Sequence, residues 1–180
     1  LIRQYGGVVE DPGRRMAGFA ILEFLNATVQ GEEEHQDLFD LLTSALADMD
    51  ARVLDAHLVL LRFLLGLASV LGVGFDMDHC VTCRAPLDQT NIVREYAAFS
   101  TGHGGCTCTG CSPKSDSMHL SRHALFLLQR LHGGLALPVE ATSSSHSITR
   151  EAVQLLNRHL GAHIDGMRKV RSMNMLDAFD

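Results

Sequence analysis

Four cysteines carry most of the chemistry this sequence could perform: Cys80-x2-Cys83 and, 24 residues further on, Cys108-x2-Cys111. Each two-residue spacing presents a pair of sulfurs from one tight turn. Two such turns brought together can close a tetrahedron of thiolates around one zinc ion. With four protein ligands there is no open position, so the ion activates no water and contributes folding energy to a segment too small to own a core. The expectation is one structural zinc per chain, with Gly104, Gly105 and Gly110 supplying the backbone freedom that the second turn needs. A redox-active C-x-x-C or an iron–sulfur cluster would also use such cysteines, but two pairs at finger-like spacing favour zinc. The fifth cysteine, Cys106, creates C-x-C-x2-C and could replace Cys108. The repeated two-residue spacing selects Cys108 and leaves Cys106 outside the shell. His79 and His103 are adjacent alternatives and read as ordinary loop histidines.

Other chemistry is poorly represented. There is no Walker loop, no G-x-S-x-G and no H-E-x-x-H, so no enzyme is expected. The ten histidines are scattered, and no two share a ligand spacing with a carboxylate. His119 and His123 would share a helix face but lack a third ligand. Arg168, Lys169 and Arg171 form the densest basic cluster. It suits contact with backbone phosphates, or a solvated helix end that complements the helix dipole. Arg14 and Arg15 read as solvent-exposed. The formal net charge of −6 means that the chain as a whole does not attract nucleic acid, so any DNA contact is local. An odd cysteine count without a signal peptide points to a reducing, cytoplasmic setting. A chain that begins with Leu reads as a piece of a longer protein.

The elements that must position these residues are helical. Abundant Leu, no Trp and two Tyr among 180 residues favour packed helices over a sheet sandwich. Residues 1–13 lack periodicity and read as a linker. Residues 14–30 carry an apolar stripe of Met16, Phe19, Ala20, Phe24 and Ala27. Gly31 breaks it, and Glu32, Glu33 and Glu34 open a second helix with Leu38, Leu42, Ala45, Leu46 and Met49 inward. A third, about 53–71, places Leu54, Leu58, Leu61, Leu65 and Ala68 on one face but is apolar all round, as a central helix is. It is not a membrane span: Arg62 and three glycines interrupt residues 58–75, and Asp55, Asp76 and Asp78 flank them. Gly72 and Gly74 end it. Residues 91–99 read as a short β run. Residues 120–132 are helical with Ser121 as cap and Ala124, Leu125, Leu128 and Leu131 buried. A last helix covers 149–164, with Val153, Leu156, Leu160 and Ile164 inward, before a basic, Met-rich tail. The fold class is therefore mainly α: a helical domain, 14–75 and 114–180, with a four-cysteine zinc knuckle containing a short β-hairpin inserted at 76–113.

The stretches "LLRFLLGLASVLGVGFDMDHCVTC", "FSTGHGGCTCTGC" and "LSRHALFLLQRL", with the late "LNRHLGAHI" followed by Arg171-Ser172, resemble the C-terminal part of the RecO family of bacterial recombination mediators. The Gly104-Gly105 ahead of the second cysteine pair and the flanking helices make the match more specific than the cysteines do. The resemblance implies an OB-fold domain ahead of a helical domain with a zinc knuckle. It also implies binding of single- and double-stranded DNA, mainly through the OB-fold that is missing here, and strand annealing. A RecR-like protein would be a partner in loading recombinase onto DNA coated by single-strand-binding protein. No membrane association follows. The other reading is a zinc-stabilised helical adaptor or regulator that binds protein partners only.

Overall fold

The computed structural model describes residues 5–29, 35–88, 96–111, 118–133, 146–165, 167 and 170–173. Six helices are described: α1 (Gly6–Glu10), α2 (Pro12–Thr28), α3 (Gln36–Ala51), α4 (Ala56–Val70), α5 (Arg122–His132) and α6 (His146–His163). Three short strands are β1 (Tyr96–Ser100), β2 (Gly105–Thr107) and β3 (Met118–Ser121). The mainly helical class with a small antiparallel sheet is as the sequence predicts.

α4 is the central helix. Its buried residues run all round it, from Ala56, His57 and Leu58 to Phe63, Leu64, Leu67 and Ala68, and it packs on α2, α3 and α6. The Asp55 side chain caps its start by accepting from His57 N–H at 2.9 Å. Its end is a Schellman turn: Gly72 N–H donates to Ser69 O and Val73 N–H to Ala68 O. Gly72 sits at φ +69°, the left-handed position that glycine occupies without a Cβ penalty. Among the described residues, no helix is long and apolar enough to cross a membrane.

The N-terminal boundaries differ from expectation. The first long helix starts at Pro12, not at residue 14, because the Asp11 side chain accepts from Arg14 N–H and Pro12 opens the first turn. Within the stretch read as aperiodic, Gly6–Glu10 is helical and Val8 is buried. Arg14 is not a free surface cation: its guanidinium donates to Met49 O (2.8 Å) and Leu54 O (2.9 Å) across the α3–α4 corner. Phe19, expected inward, is 51% exposed, while Ile21 and Leu25 are buried. The buried face of α2 is Ala17, Ala20, Ile21, Phe24 and Leu25, a helical repeat rotated away from Phe19. Gly31 and Glu32 to Glu34 lie outside the described residues, as do 91–95; α3 is described from Gln36.

The sheet order is β2-β1-β3, antiparallel throughout. β1 and β2 form the expected hairpin, Phe99 opposite Cys106. The third strand corrects the sequence reading, which started a helix at Leu120. Met118–Ser121 pairs with β1, and Ser121 then caps α5 by accepting from Ala124 N–H at 3.2 Å. Glu151 of α6 locks this junction, accepting from Ser121 N–H and Oγ–H at 2.6 Å each. One buried cluster runs continuously from Val8 through α4 to Leu87, Phe99, Cys106 and Met173. Phe75, Phe99 and His159 meet edge to face at its centre, 4.9–5.5 Å apart.

Candidate metal centre

The loop that presents the first cysteine pair is built on Asp76. Its N–H donates to Gly104 O at 3.1 Å, and its Oδ1 accepts from Asp78 N–H (3.0 Å) and His79 N–H (2.9 Å). Oδ2 pairs with Arg84 at 3.0 Å. Burial opposes ionisation here, but those two N–H groups with Arg84 and His79 outweigh it and hold the carboxyl below its usual value. Cys80 N–H donates to Ala85 O and Arg84 N–H to Cys80 O, each at 2.8 Å, closing the C-x-x-C turn, with Arg84 left-handed at φ +62°. Cys111 N–H to Cys108 O (3.1 Å) closes the second turn, and Val81 N–H to Cys106 O (3.0 Å) joins the two.

The two glycines ahead of the second pair have different tasks. Gly104 turns the chain at φ +65°. Gly105 lies so close to the first loop that a Cβ there would meet Asp76 O at 2.6 Å and Val81 Cγ1 at 2.7 Å. From the other side α5 holds both ends of the first loop: Gln129 Nε2 donates to Met77 O (2.7 Å) and Leu87 O (2.9 Å).

The result is a convergence of sulfur. The Sγ atoms of Cys80, Cys83, Cys108 and Cys111 lie within 4.8 Å of one another, and Cys83 and Cys108 are 3.7 Å apart. Sulfurs bound tetrahedrally to one zinc at about 2.3 Å stand about 3.8 Å from each other. A disulfide requires about 2.05 Å, and all five cysteines are free. Two of the thiols, Cys80 and Cys111, are shifted in opposite directions. For Cys80, burial is outweighed by backbone N–H groups of Cys108, Cys83 and Thr82, and its thiol falls to about 6. For Cys111, hydrogen bonds with the Cys83 and Cys108 sulfurs push it up to about 12. The donor set and spacing fit a soft or borderline tetrahedral cation.

The other candidate residues are elsewhere. Cys106 is fully buried on β2, its thiol pushed up to about 12 by burial first, then by Asp76 and Cys80. His79 is exposed and its ring faces Asp76 at 3.7 Å; His103 pairs with Ser100 Oγ at 2.9 Å. His119 lies against Tyr96, and His123 is exposed. Arg168 and Lys169 lie outside the described residues. Arg171 is exposed, its N–H donating to both Glu23 carboxylate oxygens at 3.0 Å, beside Ser172 Oγ–H at 2.6 Å. Sequence reasoning missed Asp76, Gln129 and Glu151. Of these only Asp76 had a signal, an Asp followed by N–H donors two and three residues on, as in an Asx turn.

Comparison with known proteins places this arrangement. The family model described as "Recombination protein O C terminal" matches residues 9–172. The chain is 32% identical over 176 residues to the DNA repair protein RecO of Anaeromyxobacter dehalogenans strain 2CP-C, covering 93% of this chain and 66% of that protein. It is 28% identical over 179 residues to the DNA repair protein RecO of Anaeromyxobacter sp. strain K (98% and 67%). To the protein of that name from Rhodopirellula baltica it is 30% identical over 141 residues (77% and 50%). The chain thus spans about two thirds of the length of the first two relatives. No solved structure gives a significant match.

Proposed function

The chain belongs to the RecO family, and on that premise we propose that it is the helical, metal-binding part of a DNA repair and recombination mediator. Cys80, Cys83, Cys108 and Cys111 hold one zinc ion, which fixes the 76–113 module against the helical domain (14–75 and 114–180) and turns over no substrate. The chain ahead of α1 leads in from an OB-fold domain that makes most of the contact with single- and double-stranded DNA. Arg168, Lys169 and Arg171 add phosphate contacts. The whole protein works in the cytoplasm, anneals complementary strands and, with a RecR-like protein, helps to load recombinase onto DNA coated by single-strand-binding protein.

The observation that carries this reading is the family match over residues 9–172. The 3.7 Å Cys83–Cys108 sulfur spacing supports the zinc. The test is strand annealing by the full-length protein, with zinc bound and after its removal. Annealing that requires the upstream domain and weakens when zinc is removed is the expected result. A full-length protein that binds protein partners but neither binds nor anneals DNA would establish the adaptor reading instead.

A further inference from the structure

A second group of metal-ligating side chains forms away from the cysteines. Asp55 caps α4, His57 lies in its first turn, and His146 is the first residue of α6. One ligand atom from each of the three lies within 4.8 Å of the other two. Asp55 Oδ1 and His57 Nδ1 are 3.5 Å apart. The His57 and His146 rings stand 5.7 Å apart at 88°, edge to face. Donors bound tetrahedrally to one cation at about 2.0–2.1 Å are about 3.3 Å apart, so the Asp55–His57 pair is already near that spacing.

We propose that Asp55, His57 and His146 form a site for a divalent borderline transition-metal cation, independent of the four cysteines. Two imidazoles and one carboxylate are a donor set that zinc and its neighbours accept, and three protein ligands leave a position open to water or to a donor from a partner. The site is partly preformed. His57 is buried and held by the helix turn. Asp55 accepts His57 N–H at 2.9 Å, a hydrogen bond to a ligating carboxylate of the kind that orients it. His146 is the exposed member of the three, so closing the site calls for reorienting its ring. Two helix N-termini face the cation, and each lowers affinity by about 2- to 5-fold. The site therefore binds more weakly than a four-thiolate centre, and its effect is to tie the start of α6 to the start of α4.

The test is a zinc titration of the full chain that already carries its cysteine-bound equivalent, against a chromophoric indicator of micromolar affinity. A second equivalent is expected. His146→Ala, an exposed position, should weaken it at least 10-fold and leave the first equivalent and the circular dichroism unchanged. Asp55→Asn, which preserves the helix cap, should weaken it too. A wild-type chain that stops at one equivalent, or variants that take up the second with unchanged affinity, would overturn the proposal. Cobalt separates the two centres: sulfur-to-metal charge transfer belongs to the cysteines, and only weak d–d bands belong here. Charge transfer in the second equivalent also counts against the proposal. A chain with the d–d bands alone would refute the cysteine centre and leave this one standing.

Discussion

At the residue scale, Cys106 on β2 and Cys108 just after it separate packing from ligation. Cys106 is buried among apolar groups, whereas the Cys108 sulfur faces that of Cys83. Cys108→Ser should abolish metal uptake at the cysteine centre, read as loss of sulfur-to-cobalt charge transfer. Cys106→Ser should retain the cysteine-bound metal and cost about 1–3 kcal/mol for the hydroxyl placed in the core. Metal content measured beside thermal melting checks both, and metal loss in Cys106→Ser would reassign the shell. A second prediction concerns His159. Burial pushes its imidazole below the ordinary 6.5, and neighbouring His163 acts in the same direction, against the 2.7 Å contact of Nε2 with Val73 O. The folded state thus binds the proton less readily than the unfolded chain. His159 favours folding fully above pH 6.5, and that contribution is lost as pH falls through 6.5 and then through the depressed folded value. Melting at pH 7.5 and at pH 5 should show a steeper loss for the wild-type chain than for His159→Phe. Equal slopes would place the proton elsewhere.

At the scale of elements, the metal loops depend on close backbone approach and on helix α5. Gly105→Ala drives a Cβ onto Asp76 O and should cost about 1–3 kcal/mol. Gly102→Ala has open space around it and serves as the control. If both alanines melt alike, the approach of the two loops is looser than described. Gln129→Ala strands the carbonyls of Met77 and Leu87 and should cost a similar 1–3 kcal/mol. Its signature is faster amide exchange in the Cys80 loop, with α4 unaffected. Asp76, which organises that loop from a position outside the cysteine motif, explains why the C-x-x-C spacing alone understates the number of residues the site needs.

For the whole molecule, the cysteine cluster and the fold share one core. Cys80 and Cys108 belong to the same buried cluster as Leu61 and Leu156, so removing the metal reaches past the 76–113 segment. On zinc removal, amide protection should collapse first there and in β1–β3, then weaken at the Phe75–Phe99–His159 contact. The basic tail belongs to this scale too. With a formal charge of −6 on the chain, phosphate contacts must be local. Replacing Arg168, Lys169 and Arg171 by Ala in the full-length protein should lower the slope of log K against log salt by about 3. An unchanged slope removes them from the DNA footprint.

The sequence by itself determined the helical class, the central helix and the four cysteines. Each of these is a local pattern: an apolar period, apolar residues on all sides, a repeated two-residue spacing. It also determined the Ser121 cap and the Gly72 stop, which depend on one residue and its nearest backbone neighbours. What it misplaced was set by partners distant in the chain. β3 is a strand because β1 pairs with it, Phe19 points outward because α2 turns Ile21 and Leu25 to the core, and Arg14 is engaged because the α3–α4 corner offers two carbonyls. The histidines show the limit most plainly. In the sequence no two histidines share a ligand spacing with a carboxylate, yet α6 brings His146 beside Asp55 and His57. Ligand spacing within a turn is written in the chain; ligand spacing between helices is decided only when they pack.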